Sequence, residues 1–215
     1  METDKIPMMY AMRTEAEKPS EAADVATVDL VEKARNGDRT AFHRLVDQFQ
    51  PGIYRMIFYR TRSAMDAEDL TQDVMLKAYK NIRHLKSSDV FRSWLYRIAM
   101  NRVKDYYRKK QFRSLFGAGS TDEEGFHETA EMAVAPEVEG GLSKKDFWRQ
   151  ISRMLTRLSA LEKEVFLLRF FDQLTIKEIS AALHKSESSI KTHLYRALRK
   201  VRDRAGGLEV LLEES

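Results

Sequence analysis

From Ser114 to Leu142 the chain carries seven acids (residues 122, 123, 124, 128, 131, 137 and 139) and neither Lys nor Arg, a net charge of −7. The same stretch holds Gly117, Gly119, Gly125, Gly140, Gly141 and Pro136, with few large apolar residues. Such a composition does not bury enough apolar surface to offset the entropy of ordering a backbone, so it is expected to be flexible and extended. It divides the 215 residues into two small folding units. Both flanks are basic. Arg97 to Arg113 has seven Lys or Arg against Asp105 alone, a net +6, and Lys185 to Arg204 has seven against Glu187 and Asp203, a net +5. A total of only +4 conceals this segregation, which points to nucleic acid as a partner.

Other features narrow the function. Hydrophobic residues make up 43% of the chain, enough for real cores. No apolar run approaches the length of a membrane span, and the N-terminus lacks the basic-then-apolar pattern of a signal peptide. With no cysteine there is no disulfide, thiol chemistry or cysteine-held zinc, and the five histidines are scattered without metal-ligand spacing. No glycine-rich phosphate loop or nucleophile-base pairing stands out, so no enzyme activity and no cofactor are expected. The expectation is a cytoplasmic protein with no membrane insertion of its own.

Residues 1–25 mix Met, Pro, Glu and Ala without periodicity and read as a disordered tail. A first unit is expected over residues 26–113. Its helical pattern starts at Val28 and breaks at Asn36-Gly37-Asp38. It resumes through Phe42, Leu45 and Phe49 to Gln50-Pro51-Gly52, with Pro51 placed to open a further helix. No segment alternates with period 2, so the fold is expected to be all-α. In Asp66 to Ile82, Asp66 can cap a helix whose core side is Leu70, Val74, Met75, Ala78 and Ile82. Asp69, Gln72, Asp73 and Leu76 gather on another side, an exposed leucine among acids and an amide. The plain reading is an ordinary acidic first turn. The functional one is a docking surface for a basic protein, anchored by Leu76.

Phe91 to Gln111 has two unlike faces at 3.6 residues per turn. Phe91, Trp94, Leu95, Ile98, Ala99, Val103 and Tyr106 make a core stripe. Arg97, Asn101, Lys104 and Arg108 lie opposite, with Tyr96, Met100 and Tyr107 on the flank. Ser88 and Asp89 offer N-cap oxygens. A cationic face with rings beside it suits a phosphate backbone and unstacked bases. Taken alone, the helix would read as a solvated basic face over a core. Arg102 falls within the apolar stripe and is expected to snorkel or pair with an acid.

A second unit is expected over residues 143–205, followed by a tail at 206–215. Phe147, Trp148, Ile151, Met154, Leu155 and Leu158 suit one helix. Ser159-Ala160-Leu161-Glu162 and Thr175-Ile176-Lys177-Glu178 are consecutive capping boxes, each opening a helix. Ser186 can cap a last helix with Ile190, Leu194, Ala197 and Val201 inside. Outside lie Ser188, Lys191, Thr192, Tyr195, Arg196, Arg199 and Arg202. A short helix, a tight turn and a basic helix with a small, polar start make a helix-turn-helix.

AEDLTQDV, then FRSWLYRIAMN, then VFLLRFFDQLTIKEISAALHKSESSIKTHLYRALRKVR, in that order around an acidic linker, resemble the extracytoplasmic-function (ECF) sigma factors of the sigma-70 family. The resemblance covers about Val28 to Gln111 and Phe147 to Arg204. It implies two small helical domains, one for promoter melting and one helix-turn-helix, joined by the flexible acidic linker at 114–142. It implies RNA polymerase core as partner, through the β′ coiled coil and the β flap, and promoter DNA. Asp66, Asp69, Gln72, Asp73 and Leu76 would then bind polymerase. Trp94, Arg97, Asn101, Lys104 and Arg108 would engage the minus-10 element, with Asn101 at a flipped base. Ser188, Ser189, Lys191, Thr192, Tyr195 and Arg196 would read the minus-35 element. His193 stands where many relatives carry Arg. Many members answer to an anti-sigma factor, and the sequence leaves open whether this one does. The rival reading is an autonomous helix-turn-helix regulator, which would leave the Asp69 face and the basic-aromatic helix unexplained.

Overall fold

The computed structural model describes residues 21–115 and 154–205, and all regular structure among them is helical. Helix α1 (Glu21–Arg35) begins several residues before the expected start, so the end of the presumed tail is helical. Gly37 closes the turn after it at φ 99°, a left-handed conformation that costs a residue without Cβ little. The Asp38 carboxylate caps the next helix by accepting from the Ala41 amide at 3.0 Å.

Helix α2 (Arg39–Thr61) runs unbroken through Pro51, where the sequence suggested two helices. Proline removes one backbone hydrogen bond and strains the preceding turn. Buried side chains lie on both sides of it, with Leu45 before and Ile53, Met56 and Ile57 after, all at 0–1% exposure. Each such side chain contributes roughly 1.5–3 kcal/mol, so packing outweighs the local defect. Gly52 admits the Tyr96 hydroxyl, which would lie 3.3 Å from a Cβ placed there.

Helix α3 (Ala64–Asn81) is capped by Ser63, whose hydroxyl accepts from the Asp66 amide at 3.2 Å, and not by Asp66 itself. Its inner side buries Ala67, Thr71, Val74 and Ala78. Two 3-10 turns, Ile82–His84 and Ser88–Val90, lead to α4 (Phe91–Leu115). The expected N-cap at Ser88 or Asp89 is not formed: the Ser88 hydroxyl is buried without a hydrogen bond, and Asp89 accepts from Ser87. The 3-10 turn runs straight into the helix and takes the place of a cap. Phe91 sits edge-on to Phe49 and tilted against Trp94, with centroids 5.3 and 5.9 Å apart.

The second unit comprises α5 (Ala160–Phe170), α6 (Ile176–Leu183) and α7 (Glu187–Ala205). Both capping boxes form reciprocally at Ser159–Glu162 and Thr175–Glu178. His184 turns the chain in the left-handed region, and the Ser186 hydroxyl accepts from the Ser189 amide at 3.3 Å. Lys200 of α7 reaches the buried Glu162 at 2.6 Å, and with the Ser159 amide it holds that carboxyl below its ordinary range. Helix α5 buries Val165, Phe166, Leu167 and Leu168.

One apolar cluster runs through both units, joining Met56, Leu95 and Met100 to Val165, Leu168, Leu174, Ile179 and Ile190. Helix α6 lies against α4. The two helical units are thus docked on each other. The acidic linker beyond Leu115 and the helical pattern from Phe147 to Ile151 lie outside the described residues.

Candidate nucleic-acid and polymerase interfaces

Helix α3 presents the acidic face expected of it. Asp69, Gln72, Asp73 and Leu76 are all exposed, Leu76 by 51%. Asp73 lies 4.0 Å from Arg102, which supplies the acid partner expected for that arginine. Tyr79 extends the same surface at 44% exposure, held edge-on against Phe42 with centroids 5.0 Å apart. Asp66 stands apart from this face. Half-buried, it accepts from the Tyr106 hydroxyl at 3.0 Å, tying α3 to α4.

Helix α4 departs most from its two-faced pattern. Phe91, Leu95, Ile98, Ala99 and Val103 are buried as expected, but so are Tyr96 and Met100, each 4% exposed. The pattern put both on the flank of a wet face. Docking of α6 covers that flank, so α4 is apolar on two sides. Burial pushes the Tyr96 hydroxyl up to about 12, keeping it neutral. Arg97 is half-buried, its Nη1 3.1 Å from His184 Nε2. Trp94 is half-buried against Phe91. Asn101, Lys104 and Arg108 remain exposed, and only a surface contact at 3.1 Å to Asp105 restrains Arg108. A pair that open to water is worth at most about 1 kcal/mol, so a phosphate can displace it.

On α7, Ser188, Lys191, Thr192, Tyr195 and Arg196 share an exposed face, with Tyr195 66% exposed and Ser189 half-buried at its edge. Thr192 donates to the Ser188 carbonyl at 2.9 Å, which fixes its rotamer and leaves its methyl and lone pairs outward. His193 is half-buried with Nδ1 unpaired, so its ring belongs partly to the packing side of the helix.

An ionic cluster between the units escaped the sequence reading. Arg60 of α2, its side chain 7% exposed, donates to Glu164 at 2.6 Å and approaches Asp172 at 3.4 Å. Burial alone would discourage its charge, but Glu164 and then Asp172 more than reverse that. Asp172 is wholly buried. Loss of water pushes its carboxyl up to about 6, against the pull of Arg60, with Glu164 adding to the rise. Arg92 donates to the Asp172 carbonyl at 2.9 Å and lies 3.3 Å from Glu178. An acid within the apolar run FFDQL was the one available signal, and nothing local identifies a partner 112 positions away.

Among the described residues no group of His, Cys, Asp or Glu could hold a metal, and no helix is long and apolar enough to cross a membrane. The sigma-70 region 2 family matches residues 45–113, and the sigma-70 region 4 family matches residues 148–201. These spans contain the three exposed faces. The ECF RNA polymerase sigma factor BldN of Streptomyces coelicolor is 33% identical over 189 residues, covering 85% of this chain and 67% of the relative. SigW of Bacillus subtilis, also an ECF sigma factor, is 28% identical, covering 79% of this chain and 93% of its own. The fold is similar to CnrH bound to the cytosolic domain of CnrY, at TM-score 0.62 and 19% identity, covering 85% and 98% of the two chains. It is also similar to the sigma factor RpoE of Bartonella quintana bound to the anti-sigma factor NepR, at TM-score 0.59 and 21% identity, covering 75% and 94%. With both sigma-70 regions in order, and a relative of this identity matched along most of its length, the chain belongs to the ECF RNA polymerase sigma factors.

Proposed function

We propose that the three exposed faces divide the work of a sigma factor. Asp69, Gln72, Asp73 and Leu76 on α3 dock on the β′ coiled coil of core polymerase, and Asp66 supports them by bracing α3 on α4. Arg97, Asn101, Lys104 and Arg108 on α4, with Trp94 beside them, hold the minus-10 strand, Asn101 taking a flipped base. Ser188, Ser189, Lys191, Thr192, Tyr195 and Arg196 on α7 read the minus-35 element in the major groove, while the second unit rests on the β flap. The two units would comprise residues 26–113 and 143–205, with helix extending the first back to Glu21 and on to Leu115.

No covalent chemistry is asked of these residues. Unstacking a base costs a few kcal/mol, and stacking or pocket contacts return roughly 1–3 kcal/mol per base, so capture offsets much of the melting cost. The cytoplasm, where RNA polymerase works, is the proposed site of action. An anti-sigma factor belongs to the same proposal: Bartonella quintana RpoE was solved with NepR, and this chain has that fold.

The observation that carries the docking role is Leu76, 51% exposed within a ring of acids and an amide. An apolar side chain so placed gains most from a partner that brings both a pocket and positive charge. The experiment is a pull-down with core polymerase. Asp69→Ala combined with Gln72→Ala should weaken capture at unchanged helical content, and wild-type capture by the double variant would refute the assignment.

A further inference from the structure

We propose that a cleft between the C-terminal end of α1 and the turn Ile82–His84 holds a backbone phosphate of the promoter strand, a few nucleotides from the base that Asn101 takes. The inference rests on the reading of α4 as the strand-holding helix given above.

The cleft, of about 220 Å³, is lined by Glu32, Arg35, Asn36 and Arg83. It opens beside the turn at which Gly37 ends α1. Both 3-10 turns pack on α1, and this carries Arg83 across to the Gly37 turn: a Cβ placed on Gly37 would lie 3.5 Å from Arg83 Nη2. Two guanidinium groups from distant parts of the chain therefore line one cleft. Like charges repel, yet among the described residues neither arginine forms an ion pair, with Glu32 or with any other acid. Arg35 is half-buried, and its Nε is enclosed without a hydrogen-bond partner. An arginine that only solvates a surface keeps that nitrogen in water. A buried donor left unmade costs free energy, which an incoming acceptor recovers.

The charge of the lining selects the ligand. Two guanidinium groups and the Glu32 carboxylate leave a net +1. A phosphodiester carries a single negative charge and neutralises it. A phosphate monoester, near −2 at neutral pH, would set its surplus charge against Glu32. The planar fork of arginine matches phosphate oxygens in pairs, and the Asn36 amide adds a neutral donor. Nucleic-acid backbone is the ligand class with this chemistry.

The cleft lies beyond the N-terminal end of α4. From Asn101 back to Phe91 that helix runs about 15 Å, at 1.5 Å per residue. About four nucleotides cover this length at roughly 3.4 Å each, and fewer do so when unstacked. The turn Ser88–Val90 then joins α4 to the packing surface of α1. A strand leaving Asn101 past Arg97 and Trp94 meets Arg83 and Arg35 next. Lys104 and Arg108 hold one side of the captured base and the cleft holds the other, so the phosphate contacts fix the register of the strand while the base is out of the stack.

The test uses holoenzyme made with the full chain and a fluorescent single strand selected from a random pool by the wild-type holoenzyme. Copies of that strand carry an uncharged methylphosphonate at one linkage at a time. Arg83→Gln, at an exposed side chain, should weaken binding about tenfold and lower the slope of log affinity against log salt by about 0.7. Arg83→Lys should keep the slope. Glu32→Gln should tighten binding about threefold, because it removes the one opposing charge of the lining. One methylphosphonate should cost the wild type about tenfold and Arg83→Gln almost nothing. Wild-type affinity and slope in Arg83→Gln, a loss spread evenly over all linkages, or unchanged binding by Glu32→Gln would each overturn the cleft. Weakened capture of core polymerase by Arg83→Gln, with strand binding by its holoenzyme intact, would assign the cleft to polymerase and overturn it as well. Asn101→Ala separates the two readings. Strand binding untouched by that change overturns the role of α4 and this inference with it, whereas weakened binding beside an unaffected Arg83→Gln overturns the cleft alone.

Discussion

Replacing Asp172 with Asn tests the balance of forces at the centre of the molecule. The side chain is fully buried, its Oδ1 has no hydrogen-bond partner, and Oδ2 is 3.4 Å from Arg60. Arg60 keeps Glu164 at 2.6 Å and the Met56 carbonyl at 2.7 Å without it. Desolvation lifts the carboxyl from 3.8 to about 6, although Arg60 and Arg55 pull the other way. At neutral pH that rise corresponds to about 3 kcal/mol of destabilisation by the ionised form. An amide removes this term but introduces a donor that must find an acceptor, costing about 1–2 kcal/mol. D172N should therefore be more stable than wild type by about 1–2 kcal/mol at pH 7.5. The sign with pH follows: a carboxyl raised in the fold stabilises the folded form as pH falls through 6, and that contribution is lost as pH rises through it. Wild type should gain about 1 kcal/mol relative to D172N between pH 7.5 and 5.5. Groups remote from this cluster are untouched by the substitution, so the difference reports on Asp172 and the charges in contact with it. Urea unfolding at both pH values, compared at constant m, reads it directly. A D172N protein destabilised by more than 1 kcal/mol at pH 7.5, or one that follows the wild-type pH profile, would show that the Arg60 ion pair outweighs desolvation.

Other tests bear on separate parts. Asn101→Ala should impair use of the downstream promoter element, while Thr192→Ala or Arg196→Ala should alter preference at the upstream one. Transcription from a promoter library scored at each element decides this, and an upstream-only effect of Asn101→Ala would refute the assignment of α4. Thr175→Ala removes the hydroxyl that accepts from the Glu178 amide at 3.2 Å. It should cost about 1 kcal/mol, read as a lower urea midpoint for the full chain.

The helices themselves were largely legible in the sequence, because their signals are local. Capping boxes at Ser159 and Thr175 act within one turn, and the apolar periods of α3 and α7 name their buried sides without reference to any partner. The exposed faces at Asp69 and Thr192 follow from the same periodicity. Tertiary structure decided what locality leaves open. Pro51 stays inside a helix because Leu45 and Ile53 are buried on either side of it. Ser63 replaces Asp66 as cap, and Tyr106, forty positions on, takes up the carboxylate. Tyr96 and Met100 were misplaced on a wet flank because the surface covering them comes from the other unit. Helical period identifies a polar side only for a helix that packs on one side, and α4 packs on two. Arg60, Glu164 and Asp172 meet across more than a hundred residues of chain, and a charge in the sequence carries no record of the distant charge that will offset its burial.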